Sequence, residues 1–156
     1  MLHFAYGSNM SCRIMHRHAP EAVEFGVAAL SHYRVVITAD GYASLERGRT
    51  EVVYGVLWRL TPRARATLDV WENVAGGLYR PVTLPVQQDG RHRPALTYLA
   101  RPGRLGRARA GYVELIVASA LEWKLPPTYI ASLRQWLAKR ADGTAGPRKV
   151  EDSGWT

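Results

Sequence analysis

The chain has 156 residues, 47% of them apolar and 22% charged, a balance that suits one soluble globular domain able to bury its own core. No apolar run approaches bilayer-spanning length, no basic segment followed by an apolar one opens the chain, and a single cysteine excludes an internal disulfide framework. A reducing compartment, the cytoplasm, is therefore expected, with no membrane partner.

Leu2 to Tyr6 reads as a short strand, and Ser11 as the cap of a helix that Pro20 stops. Val23 to Ala39 is rich in β-branched and apolar residues, with a break at Ser31-His32. Asp40-Gly41 is a strong turn signal, after which Ala43-Ser44-Leu45 begins another extended segment. Val52 to Leu60 reads as a separate, largely buried strand.

Thr61-Pro62 pairs a capping residue with proline at the first helical position, predicting a helix over 62–72. Gly76-Gly77 ends that region, and Tyr79–Gln88 and His92–Ala100 flank Asp89-Gly90 as a hairpin. The formal charge is +8, from 21 Lys+Arg against 13 Asp+Glu, and its densest run is Arg101, Arg104, Arg107 and Arg109. No aromatic alternates with these arginines to form a stacking platform, and no nucleic-acid motif is present, so a solvated basic loop is expected.

Apolar residues at helical spacing predict a helix over 111–123, and Pro126-Pro127 separates it from a last one carrying Ile130, Leu133 and Leu137. The domain is expected over 1–140, followed by a loose tail over 141–156. Several consecutive strands without helical crossovers predict an α+β domain whose mainly antiparallel or mixed sheet curls toward a barrel.

Two places stand out chemically. In Tyr6-Gly7-Ser8-Asn9, a glycine between strand and helix permits close backbone approach to a ligand, although a plain tight turn fits as well. Glu72 closes its helix at the negative end of the dipole, beside Trp71, where a carboxylate holds its charge at a cost and is disposed to exchange protons. A frayed surface glutamate is the competing reading. Cys12 and His16 have the spacing of a thiolate pair, but His3 and His18 complete no recognisable ligand set and no metal is expected. Taken singly, Tyr79, Tyr98 and Tyr112 read as core aromatics.

Together these residues resemble one family. Phe4-Ala5-Tyr6-Gly7-Ser8-Asn9-Met10 is similar to the opening signature of the gamma-glutamylcyclotransferase-like proteins, which include the AIG2-like plant proteins. Gly55-Val56-Leu57-Trp58, Leu68-Asp69-Val70-Trp71-Glu72, Gly77-Leu78-Tyr79-Arg80 and Ala95-Leu96-Thr97-Tyr98 resemble later family segments in the right order. Tyr112, Ala120, Glu122, Leu125-Pro126 and Tyr129 resemble its C-terminal pattern.

The resemblance implies a curled sheet with flanking helices and one cavity. It also implies a cofactor-independent cyclisation of a gamma-glutamyl group to 5-oxoproline, releasing an amine or amino acid. Glu72 matches the catalytic glutamate, Tyr6, Gly7, Ser8 and Asn9 the substrate-holding loop, and Tyr79, Tyr98 and Tyr112 the pocket lining. Asn73 departs from the usual glycine after the glutamate, Ser119 from a glycine before Ala120, and the arginine-rich run before Tyr112 from prolines and small residues. That run is expected to border the cavity mouth. A ligand-binding or regulatory protein without turnover, or a basic nucleic-acid binder, are the alternatives; oligomeric state is not legible.

Overall fold

The computed structural model describes residues 1–137; the tail expected over 141–156 lies outside them. Five strands close into a barrel in the order β1-β3-β2-β4-β5, from β1 (Leu2–Ala5), β2 (Val23–Ile37), β3 (Ala43–Arg59), β4 (Tyr79–Gln88) and β5 (Arg91–Ala100). The pairs within it are antiparallel except for a parallel closure of β1 on β5 at His3 and Leu96. Helices α1 (Cys12–His18), α2 (Pro62–Trp71), α3 (Tyr112–Glu122) and α4 (Pro127–Arg134) flank it. This is the single α+β domain with a curled, mainly antiparallel sheet that the residue pattern implies.

Local chemistry accounts for the element ends. Ser11 Oγ accepts from the Ile14 N–H and opens α1, while Thr61 Oγ1 accepts from the Ala64 N–H at 3.1 Å and opens α2. Asp89 and Gly90 both have positive φ, as a two-residue hairpin turn requires. The long strands differ from expectation in two ways. The break at Ser31-His32 is a bulge inside β2, where His32 takes φ 64° and the register with β3 shifts. The two segments at 43–45 and 52–60 are one strand, because the polar stretch between them continues β3 out into a ribbon with β2. His32 Nδ1 lies 2.8 Å from the Arg49 carbonyl across that ribbon. Polar residues on a solvated ribbon imitate a loop in sequence.

The core fills the barrel and its helical flank. Phe4, Val53, Val56, Leu57, Trp58 and Leu68 have no solvent exposure. Trp58 meets His16 and Trp123 edge to face, and Trp123 Nε1 donates to the Met10 carbonyl at 2.8 Å. That bond ties the end of α3 to the turn after β1 and fixes the segment that forms the floor of the site.

The basic loop is solvated at three of its four arginines, with one exception. Gly106 N–H donates to the Ile37 carbonyl and Ala39 N–H to Arg104, so the loop straps the β2–β3 turn. Arg109 Nε donates to the Asp40 carbonyl at 3.0 Å, with its guanidinium 4.6 Å from the Tyr42 ring centre. Arg109 is thus a packing residue, while Arg101, Arg104 and Arg107 are exposed. None of these four is among the residues that line the cleft described next.

Candidate active site

A cleft opens where β1 leaves the barrel. His3, Phe4, Ala5, Tyr6, Gly7, Ser8, Asn9, Ala43, Glu72, Tyr79, Tyr98 and Tyr112 line it, a set that contains every site residue expected from the sequence. Its atom-free space is about 290 Å³, counting the part continuous with solvent, of which about 30 Å³ admits the centre of a water molecule. A cleft this narrow has room only for a small group.

The turn after β1 is a single 3-10 turn over Ser8–Met10, with Ser8 and Asn9 both buried. Gly7 serves close approach here: a Cβ at that position would come within 3.1 Å of the Tyr112 hydroxyl oxygen. Ser8 hydrogen-bonds that oxygen through both its side chain and its backbone, and the Ala43 N–H donates to it at 3.1 Å.

Glu72 caps the C-terminus of α2, its N–H returned to the Leu68 carbonyl at 2.8 Å, and only 3% of it is exposed. That burial removes the frayed-surface reading. Asn9 Nδ2 donates to Glu72 Oε1 at 2.8 Å, joining the loop to the helix across 63 residues of sequence. The following residue, Asn73, takes φ 50°, the left-handed conformation in which asparagine is the best tolerated side chain after glycine. Its Oδ1 accepts the Gly76 N–H at 3.1 Å, so the departure from glycine is accommodated without tilting Glu72 away from the cleft. Asn73→Ala loses both compensations and is expected to cost about 1 kcal/mol, while Asn73→Gly should stay near wild type. Thermal unfolding of the two variants checks this.

The tyrosines are pinned by the protein itself. Tyr6 hydroxyl donates to the Tyr98 carbonyl at 2.5 Å, Tyr79 hydroxyl to the Ala43 carbonyl at 2.6 Å, and Tyr98 hydroxyl to Asp69 Oδ1 at 2.6 Å. Burial raises the pKa of all four, Tyr112 included, and nearby negative groups add to it. They are protonated phenols at neutral pH and cannot act as bases. All of them line the cleft, and the hydroxyls of Tyr6, Tyr79 and Tyr98 donate to protein acceptors. Glu72 is the sole carboxylate among the described residues lining the cleft.

Two participants had little sequence signal. Asp69 lies one helical turn before Glu72, held by Arg65 Nε at 2.9 and 3.0 Å, and carries the Tyr98 hydroxyl. His3 was legible only as a histidine in an apolar strand. It is 2% exposed, its Nδ1 lies 3.0 Å from the Leu96 carbonyl, and its Nε2 has no hydrogen-bond partner. Desolvation lowers its pKa to about 4.

Because the folded value lies below the unfolded one, His3 contributes stability that is fully present above about pH 6.5 and lost as pH falls through about 4. The shift corresponds to about 3 kcal/mol. Urea midpoints compared between neutral and mildly acidic pH should fall more steeply in wild type than in His3→Asn.

The Cys12–His16 pair does not form. Cys12 Sγ lies 3.3 Å from Glu24 Oε1, and burial raises the thiol to about 11. His16 Nε2 lies instead 3.2 Å from the Ala22 carbonyl.

The closed five-strand barrel thus brings a buried helix-end glutamate against a strand-end turn in one cleft. Residues 52–133, more than half of the chain, match the AIG2-like family, and the chain belongs to it. It is 28% identical over 139 residues to Gamma-glutamylcyclotransferase of Bos taurus, covering 82% of this chain and 74% of the relative. To the Homo sapiens protein of that name it is 27% identical over 144 residues, covering 85% and 77%. A solved structure titled "Gamma-glutamyl cyclotransferase" superposes with a TM-score of 0.83 at 25% identity, over 94% of this chain and 93% of the other.

Proposed function

We propose that the protein is a gamma-glutamyl cyclotransferase, converting a gamma-glutamyl amide to 5-oxoproline and a free amine. The carrying observation is Glu72: a buried carboxylate, oriented by Asn9, in a cleft whose phenols are all protonated. The reaction needs little else. The α-amine attacks the side-chain carbonyl of its own molecule, so nucleophile and electrophile arrive tethered, and holding them in register supplies much of the rate. An ammonium must first lose a proton, and the departing amine must gain one. One carboxylate performs both transfers in sequence.

In this reading Glu72 takes one proton of the ammonium, the nitrogen closes the five-membered ring, the C–N bond to the leaving amine breaks as Glu72 returns that proton, and the ring nitrogen's second proton passes to the freed amine. The turn from Tyr6 to Asn9 orients the glutamyl group, and Tyr79, Tyr98 and Tyr112 bound it. The barrel, the helix-end glutamate and similarity to Gamma-glutamylcyclotransferase over most of the chain support this reading. Among the described residues no helix is long and apolar enough to cross a membrane; we place the protein in the cytoplasm, acting on a small soluble substrate.

The test is incubation with a panel of gamma-glutamyl amino acids and gamma-glutamyl amines, following 5-oxoproline release. Turnover of at least one class is the expected result. Binding of panel members without any 5-oxoproline would overturn the enzymatic reading in favour of a ligand-binding protein.

A further inference from the structure

The cleft contains two hydrogen-bond acceptors that the protein leaves unused. Asn9 Nδ2 is committed to Glu72 Oε1, which fixes the amide's orientation and leaves Oδ1 buried without a partner. His3 Nδ1 faces the Leu96 carbonyl, and a carbonyl only accepts, so the ring hydrogen sits on Nδ1. Nε2 therefore presents a lone pair, also buried and also without a partner. Burying such atoms unpaired is costly, and here two occur in one narrow cleft next to a carboxylate.

The ring has no freedom to turn away. It is clamped by the Leu96 bond on one side and packs edge to face on Tyr98, at 5.4 Å between ring centres. It is kept neutral at working pH, since burial lowers its pKa to about 4, so it accepts and does not repel a cation. Glu72, Asn9 Oδ1 and His3 Nε2 are thus three acceptors on residues lining one narrow cleft. Of the groups on a gamma-glutamyl compound, the carboxylate can satisfy none of them and the amide N–H only one. An ammonium carries three N–H donors.

Resting on the cyclotransferase reading, we propose that His3 Nε2 and Asn9 Oδ1 hold the substrate's α-ammonium against Glu72, making His3 a binding residue that selects substrates bearing an α-amine. His3 and Asn9 occupy two N–H bonds while the third points at Glu72, which presents the proton to be removed.

Two substitutions separate the acceptor from its scaffold. His3→Asn keeps a donor where Nδ1 meets Leu96 and removes the acceptor at Nε2; His3→Gln places an amide oxygen near the Nε2 position. The probes are Nγ-methyl-L-glutamine, followed by its KM, and N-methylglutaramate, its counterpart without the α-amine, followed as a competitive inhibitor. His3→Asn is expected to raise KM for the first by about 10–100-fold, the reach of a hydrogen bond to a charged group, and to leave inhibition by the second within about twofold. His3→Gln should recover most of the lost affinity.

Equal weakening of both probes would overturn the assignment, since N-methylglutaramate keeps the amide N–H and the carboxylate; so would an unchanged KM in His3→Asn. Thermal unfolding of each variant at neutral pH identifies a loss that is only a folding defect, which would depress active-enzyme concentration and kcat but not KM. Wild-type turnover of the panel decides the cyclotransferase reading separately. With no turnover, dissociation constants for the same two probes still report whether His3 discriminates the ammonium.

Discussion

Glu72→Gln should lower turnover by roughly two to four orders of magnitude, the usual reach of a positioned acid–base group. Glutamine keeps the size of the side chain and an oxygen that can still accept from Asn9 Nδ2, whose bond to Glu72 spans 2.8 Å. It cannot take a proton from an ammonium at neutral pH. The fold should survive, with stability within about 1 kcal/mol of wild type, because the buried contact is kept and one buried charge is removed. KM should rise as well, because the carboxylate also faces the ammonium, but the larger loss should sit in kcat, as expected when proton transfer is missing. Glu72→Asp is the companion: the charge remains, one methylene of reach goes, and activity should fall as well. Release of 5-oxoproline at near-normal rate by the glutamine variant would remove Glu72 from the chemistry.

The largest structural effect is expected at Gly55, far along the chain from any proposed substrate contact. A Cβ there would stand 2.3 Å from the Ala5 carbonyl oxygen and 2.8 Å from the edge of the Phe4 ring. Backbone cannot step aside as a flexible side chain can, and Phe4 is wholly buried. Gly55→Ala must therefore push β1 away from β3, at a cost of about 3 kcal/mol or more, which for a chain of this length lowers Tm by roughly 10 °C. Ala5 is the residue before Tyr6, so the displacement passes into the turn of the site and activity should drop in molecules that remain folded. Gly103→Ala is the control, its nearest non-neighbouring atom standing at 4.0 Å, and should change stability by less than about 0.5 kcal/mol. A calorimetric scan of the pair checks both.

The sequence made these elements legible to different degrees, for physical reasons. Thr61-Pro62 and Asp89-Gly90 carry their conformations locally, in a capping oxygen, a locked φ and positive-φ turn residues, so helix α2 and the β4–β5 hairpin were readable without tertiary knowledge. The union of 43–45 with 52–60 was not, because what makes Glu46 and Arg47 extended is their pairing with Arg34 and Tyr33 rather than their own apolarity. Glu72, Asn9 and the tyrosines could be gathered only by resemblance to a family, since their meeting depends on contacts such as Asn9 with Glu72, 63 positions apart. His3 escaped because a buried neutral imidazole has the same letter as a surface one. What distinguishes it is a bond to Leu96, 93 positions away. The arginines from 101 to 109 were readable as a solvated run, and Arg101, Arg104 and Arg107 are exposed; that Arg109 packs on Asp40 and Tyr42 depends on tertiary contacts.

The closure of β1 on β5 pairs His3 with Leu96, and that of β2 on β4 pairs Ala29 with Gln87. The barrel is thus two pieces, a three-strand sheet and a hairpin, clasped along two short seams. The cleft straddles the first seam: Tyr6 and Ala43 belong to one piece, Tyr79 and Tyr98 to the other, and the hydroxyl bonds from Tyr6 to Tyr98 and from Tyr79 to Ala43 cross between them. Neither piece alone contains a binding site. Because the seam joins residues distant in sequence, it forms only after the loop entropy of most of the chain has been spent. A chain in which that seam has not closed lacks the walls that face each other across the cleft.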